Sequence, residues 1–473
     1  MKILIVGCGP TGLGAACKIS DLLQKNPDEK VDVLIIDRES EPGGLSRTVY
    51  DSKGFGWDCG VHVTFSAFKF YNEILDKAVD NWKIHKRDVV IDLTSRFGPG
   101  ARYPYPIQKS VPYFPDDARN ACVEDITQLW KEREEREQKG ETVKLETFEQ
   151  FCMLGFGKTL CDIFFKPYNE KIWTTPFNQL SAEWVSARVA PIDLKDLEKK
   201  PLPVEGEKTK EDHGWGPNAV FRYPNLGGTG YIWDKVAQLL PNSWFAYETE
   251  LEQVNLNEKV ATIRDMKTNK TTKYEYDYLI TSIPLDLFGR ICVNPNLEPN
   301  LSHTSVIIVG VAVEDQLPAC LVGKTWFYFP DDSPYYRITV LSNYFNDCTP
   351  DNSRFYSLLC EISKVPNGHN LDLEDYSRRT IDRLVKQGFV REACKVDHAY
   401  TFLLPYGYPI PNMERDKELR KAHTLLEERN VFSRGRFGGW KYETSNQDFS
   451  FMQGAEVAGR ILEGTPETVY TWR

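Results

Sequence analysis

Gly7, Gly9 and Gly12 stand between a short apolar run at residues 2–6 and a helical pattern at residues 15–23. Each has a chemical use: Gly7 permits a tight turn, Gly9 lets the backbone approach a pyrophosphate, and Gly12 allows close helix packing. The helix that follows would aim its unpaired N–H groups and the positive end of its dipole at the phosphates. A second apolar run, residues 31–36, ends on Asp37, 25 residues past Gly12. A carboxylate there is placed to accept hydrogen bonds from an adenosine ribose. Strand, glycines, helix, strand and acid occur in the order that dinucleotide binding requires.

These residues need a frame, and the rest of the chain supplies its outline. The opening strand, helix and strand predict an α/β class with a parallel sheet. Residues 111–186 read as helical, and the charged run 131–141 reads as a solvated helix face or loop. Residues 193–214 are polar, carry five lysines and are broken by Pro201 and Pro203, which predicts an exposed loop. From residue 251 the pattern alternates like antiparallel strands, and β-branched and aromatic residues dominate 304–360. Residues 449–463 have helical spacing, with Asn446 or Asp448 as the expected cap. No internal repeat of fixed period is present.

Composition sets further bounds. The chain has 473 residues, 58 Lys and Arg against 68 Asp and Glu, and a formal charge of −10. Such a balance argues against nucleic acid or anionic membrane as the main partner, so an anionic ligand must be held by a local cluster of arginines. The longest strongly apolar run, residues 306–313, is well short of the roughly 20 residues that span a bilayer, and no membrane insertion is expected. The amino terminus lacks a long hydrophobic core, so a cytoplasmic location is expected. Eleven cysteines are scattered without a CxxC pair, which predicts reduced, mostly buried thiols and no metal centre.

Downstream of Asp37, the turn Gly43-Gly44-Leu45-Ser46-Arg47 resembles the second FAD fingerprint of flavoproteins related to amine oxidases, which favours FAD over NAD as the tightly bound cofactor. Further runs decide among flavin enzymes. Gly60-Val61-His62-Val63-Thr64, Tyr103-Pro104-Tyr105-Pro106, Phe165-Lys166-Pro167-Tyr168-Asn169 and Trp215-Gly216-Pro217-Asn218 resemble eukaryotic-type UDP-galactopyranose mutases. So do Trp326-Phe327-Tyr328, Tyr336-Arg337, Tyr406-Gly407-Tyr408-Pro409 and Arg434-Gly435-Arg436, continuing through Tyr442 to Asn446-Gln447-Asp448. The resemblance runs in order over nearly the whole chain.

The resemblance implies a Rossmann-like FAD-binding domain from residues 1–90, 215–300 and 405–473. It implies a helical insertion with mobile loops over 112–214, and an antiparallel β-sheet domain from 91–111 and 301–404. It implies interconversion of pyranose and furanose forms of a nucleotide sugar, UDP-galactose first, through a covalent adduct between N5 of reduced FAD and the sugar. NADPH or NADH would serve as the external reductant. His62, Arg188, Arg337 and Arg436 are carried over as catalytic positions. Gly44, Ser46, Gly60, Asn446, Gln447, Asp448 and Ser450 join the glycine loop as cofactor positions. Tyr105, Gln108, Phe164, Asn169 and Trp173 fall at positions for the nucleotide. Asn218, Trp326, Tyr328, Tyr408 and Tyr442 fall at positions for the sugar and diphosphate. Residues 186–192 and 193–214 are expected to close over the bound nucleotide.

Three departures from the family pattern cluster at the sugar and flavin side. Val61 replaces a glycine before His62, Ala67 replaces a second histidine, and residues 89–92 lack an arginine and serine tied to nicotinamide docking. They leave two other expectations open: the same reaction on another nucleotide sugar such as a GDP-hexose, or a flavin oxidoreductase of the amine oxidase or desaturase type.

Overall fold

In the computed structural model, residues 1–185, 219–366 and 371–472 are described. The glycine loop opens from a five-stranded parallel sheet. Its strands run in the spatial order Val431–Ser433, Tyr278–Thr281, Lys2–Val6, Asp32–Ile36 and Phe245–Ala246. All four pairings are parallel. Ile3, Leu4 and Ile5 are wholly buried, the signature of a parallel strand covered on both faces. A helix at Pro10–Lys25 follows the loop, with Pro10 at its first turn, where a missing N–H costs nothing.

This helix packs backbone to backbone on the helix Gln447–Glu463. A Cβ added at Gly14 would sit 2.0 Å from the Phe451 carbonyl oxygen, and one at Gly454 would sit 1.9 Å from that of Thr11. Glycines thus bring together helices more than 400 residues apart in the chain. The carboxyl-terminal helix begins two residues earlier than its spacing predicts. Asn446 is its cap residue but makes no side-chain capping bond, so the expected cap is correct in position and not in chemistry.

The middle of the described chain is helical. In the long helix Asp116–Lys139 the charged residues line a solvated face, and Gly140, at φ 68°, ends it in the left-handed conformation. The next helix, Phe148–Leu160, starts with a reciprocal capping box between Thr147 and Gln150. A π-helical turn, Cys161–Phe165, then leads directly into the helix Lys166–Trp173.

A seven-stranded sheet forms the facing part. Its order is Lys395–Leu404, Ser305–Glu314, Phe355–Lys364, Arg337–Thr339, Trp326–Tyr328, Val89–Asp92 and Arg102–Pro104. The sheet is antiparallel as expected except at one pairing: Trp326–Tyr328 and Val89–Asp92 run parallel, because the second arrives from a distant part of the chain and not through a hairpin. A separate four-stranded sheet comprises Thr249–Asn255, Val260–Asp265, Thr271–Glu275 and Cys292–Val293. All eleven cysteines are free thiols and nine are buried. Among the described residues no helix is long and apolar enough to cross a membrane, and no cluster of metal-ligating side chains is found.

Candidate active site

The two glycine turns recognised in the sequence lie against each other. Gly43 donates its N–H to the Cys8 carbonyl at 2.9 Å. A Cβ at Gly44 would lie 3.5 Å from the Gly9 Cα. Gly7, at φ 100°, could carry no side chain, since a Cβ would fall 2.3 Å from the Ser282 Oγ. Gly12 is equally constrained, with the Gly7 carbonyl oxygen 1.9 Å from its virtual Cβ. Ser46 is buried in the short 3-10 turn that follows. Asp37 does more than await a ribose: its Oδ2 accepts the Cys8 N–H at 2.6 Å and its Oδ1 the Glu39 N–H at 2.9 Å. Burial raises its pKa, and these bonds oppose the rise.

His62 follows the left-handed Gly60, at φ 90°. The Gln447 side-chain amide, at the start of the carboxyl-terminal helix, donates to the His62 and Val63 carbonyls and, at 2.9 Å, to the Thr64 hydroxyl. The His62 Nε2 is buried without a partner among the described residues, as are the Arg47 Nε and the Gln447 Oε1. Burial, helped by the positive charges of Arg436 and Arg337, pushes the His62 pKa down to about 3. Val61 keeps an ordinary negative φ and packs in the core that includes Trp57, Phe221 and Trp326. The glycine cradle and the orphaned polar atoms fit a bound dinucleotide. Asp448 and Ser450 are buried within the first turn of the same helix, and the Ser450 hydroxyl reaches the Ser445 carbonyl at 3.5 Å.

Around His62 the structure gathers cations and phenols. The Arg337 Nε and Nη2 donate to both oxygens of the buried Glu361 at 2.8 and 2.7 Å. Strand register explains the pair, since Arg337 lies directly across from Glu361. The Tyr336 hydroxyl also donates to Glu361, at 2.5 Å, and contacts the Tyr408 hydroxyl at 3.1 Å. Arg337 is therefore a partnered cation, 5.9 Å from the Trp326 ring centroid. Arg436 is held by the Gly407 carbonyl and the Ser445 hydroxyl, with its Cζ 5.0 Å from the Tyr408 ring and 6.0 Å from that of Tyr442.

An aromatic wall runs from these cations onto the helix Lys166–Trp173. Tyr328 stacks on Tyr168 at 5.2 Å and meets Tyr105 edge-on at 5.6 Å, while Tyr168 stacks on Phe164 at 4.9 Å. Trp173 meets Tyr408 and Tyr442 edge-on at 5.8 and 4.9 Å. Gln108 is buried beneath this wall's part of the core. The Asn169 amide nitrogen donates to the Phe165 carbonyl at 2.7 Å, which leaves its oxygen and its second N–H as groups able to read a ligand.

Two of the expected positions, Arg188 and Asn218, lie outside the described residues, as do segments 186–192 and 193–214. Three residues in this constellation escaped the sequence reading. Glu361 is a carboxylate in an apolar strand, a pattern that demands a cation and so gave a usable signal. Tyr168 lay inside a quoted motif without a role. Arg87, whose Cζ is 5.6 Å from the Tyr105 ring, sits in an ordinary charged turn and gave none.

The comparisons with known proteins bear on this arrangement. A family model described as an NAD(P)-binding Rossmann-like domain matches residues 5–77. At 15% identity, a fatty acid isomerase from P. acnes (TM-score 0.60; 97% of this chain, 98% of that chain) shares the fold. So does a putrescine oxidase (TM-score 0.60; 98% and 99%), also at 15% identity. A reduced UDP-galactopyranose mutase is 31% identical, with a TM-score of 0.85 over 98% of this chain and 94% of that one. Likeness at that identity and over nearly the whole of both chains makes this protein a member of the UDP-galactopyranose mutase family.

Proposed function

We propose that this protein is a flavin-dependent mutase that interconverts the pyranose and furanose forms of a nucleotide sugar, with UDP-galactose as the first candidate. The observation that carries the reading is the convergence of His62, Arg337 and Arg436 beside the glycine cradle. FAD would be held by the backbone of Gly7, Gly9, Gly12 and Gly44, by Ser46, and by the helix start bearing Asn446, Gln447, Asp448 and Ser450. When bound and reduced, it supplies the nucleophile for the anomeric carbon.

The protein's own contribution is charge, orientation and exclusion of water. The departing diphosphate develops charge that fixed donors stabilise without reorganising. Arg337 and Arg436 supply cationic N–H groups, with Arg188 as a third, and Tyr328, Tyr408 and Tyr442 supply phenolic hydroxyls. Glu361 keeps Arg337 aimed, using Nε and Nη2 and leaving Nη1 for a ligand. The neutral His62 can accept or donate one hydrogen bond at Nε2, according to its tautomer, without adding charge beside two arginines. Phe164, Tyr105 and Trp173 offer aromatic faces for the nucleobase and sugar, and Gln108 and Asn169 can read polar edges. Trp326 and Asn218 complete the sugar side.

Dithionite-reduced protein incubated with UDP-galactofuranose should form UDP-galactopyranose without consuming reductant in proportion, and oxidised protein should be inactive. Equal turnover in both redox states would sink this reading, and stoichiometric consumption of an oxidant would point to an oxidoreductase instead. A GDP-hexose is the second reading. Val61 and Ala67 stand at the His62 side, where the sugar would lie, and a panel of UDP- and GDP-sugars assayed with reduced protein decides between the two. The physiological reductant is proposed to be NADPH or NADH, which anaerobic reduction of the bound flavin by each would test.

A further inference from the structure

We propose that Lys171 is a positioning residue that ties the helix Lys166–Trp173 to the hairpin bearing Tyr328 and Arg337 and so sets their separation. This rests on the reading that a nucleotide lies against both. Lys171 was part of no expectation, yet its ammonium, with the side chain only 18% exposed, reaches across to the other part of the molecule. It donates to the Phe329 carbonyl at 3.1 Å and the Asp331 carbonyl at 3.0 Å, and lies 3.8 Å from the Asp331 Oδ1. Two of its N–H groups thus meet carbonyl oxygens of the loop that directly follows Tyr328, and its charge faces a carboxylate of the same loop.

That loop is itself rigidly held. The Phe329 N–H donates to the Tyr336 carbonyl at 3.0 Å, which fixes the return to Arg337. Asp331 accepts from the Ser95 hydroxyl, the Arg383 guanidinium and the Ser333 N–H at 2.8, 2.7 and 3.0 Å. On the other side, the same helix presents Tyr168, stacked on Tyr328, together with Asn169 and Trp173. Lys171 is therefore the polar brace between a face suited to a nucleobase and a face suited to a diphosphate. Its charge is also conditional. The charged groups facing it are Asp331 and Asp332 from the loop and Arg383 from the helix Leu373–Lys386. Burial pushes the ammonium pKa down to about 8, assisted by Arg383 and opposed by the two carboxylates. The brace should weaken as pH rises through that value.

The test uses the full-length, flavin-loaded protein, with UDP and GDP as probes in titration calorimetry at pH 7 and pH 9. Wild-type affinity for the preferred nucleotide should fall about tenfold between the two. In Lys171→Arg, where a guanidinium stays charged, it should fall no more than about threefold. Lys171→Met should bind about tenfold more weakly than wild type at pH 7, should approach wild type at pH 9, and should show faster backbone hydrogen exchange at pH 7 over residues 166–173 and 329–337, with an unchanged flavin spectrum. Equal affinity and equal exchange in Lys171→Met and wild type at pH 7 would overturn the proposal, as would an identical pH response in Lys171→Arg. Failure of the wild-type protein to bind either nucleotide would overturn the reading of the site, not the brace, which stands or falls on the exchange comparison.

Discussion

Replacing Arg337 by alanine removes two things at once under the proposed reading, because the guanidinium partners Glu361 in addition to its proposed role toward the diphosphate. Loss of a preorganised donor to a diphosphate should lower kcat/KM by the equivalent of about 3–4 kcal/mol. Stranding a buried carboxylate should separately cost about 3–5 kcal/mol of stability. The double variant Arg337→Ala/Glu361→Gln should recover most of the stability and none of the activity, as read by urea unfolding and steady-state kinetics. If activity returns along with stability, Arg337 acts on Glu361 alone. Arg337 could be read from its motif, but its partner could not. Glu361 becomes its neighbour only through the register of two antiparallel strands 24 residues apart, and hydrophobic patterning gives a strand's faces without its alignment. His62 shows the same limit. Its position was legible, whereas its neutrality depends on burial and, secondarily, on two arginines far along the chain.

At the scale of elements, the contact between the helices Pro10–Lys25 and Gln447–Glu463 makes an opposite-sign prediction. In an open helix Gly→Ala stabilises by up to about 1 kcal/mol. At Gly454 the added methyl would collide with the Thr11 carbonyl, so Gly454→Ala should destabilise by about 1–3 kcal/mol. It should also lower the flavin-to-protein absorbance ratio, since the displaced helix start carries Gln447, Asp448 and Ser450. A variant with full flavin content and a raised melting temperature would contradict this. Both helices were visible as periodic segments, and Gly12 was singled out for close packing, but nothing local identified the partner. The π-helical turn at Cys161–Phe165 was likewise illegible, because one extra residue per turn leaves no mark in the spacing of apolar side chains.

For the whole molecule, buried neutral histidines couple stability to acid. His423 is fully buried with its Nε2 2.8 Å from the Tyr470 hydroxyl, and burial, with Arg434 nearby, holds its pKa well below the usual value. Together with His62, it stays uncharged in the native state while the unfolded chain takes up protons below about pH 6.5. The stability these residues confer is therefore complete above that pH and is lost as pH falls below it, at about 1.4 kcal/mol per pH unit for each. Urea midpoints at pH 7, 6 and 5 should show this slope, and His423→Gln should reduce it. An unaltered slope would exclude His423. The parallel sheet, finally, has a consequence in time. Its central strand, Lys2–Val6, adjoins Tyr278–Thr281, whose other neighbour is Val431–Ser433, so the cofactor cradle is built from the two ends of the sequence. At about 5–20 residues per second, a ribosome needs on the order of 20–90 s to travel from the first of these strands to the last. Throughout that interval the glycine loop is exposed without the helix that buttresses it, so the nascent chain must be kept from aggregating until its final helix emerges, and the cofactor can be captured only then.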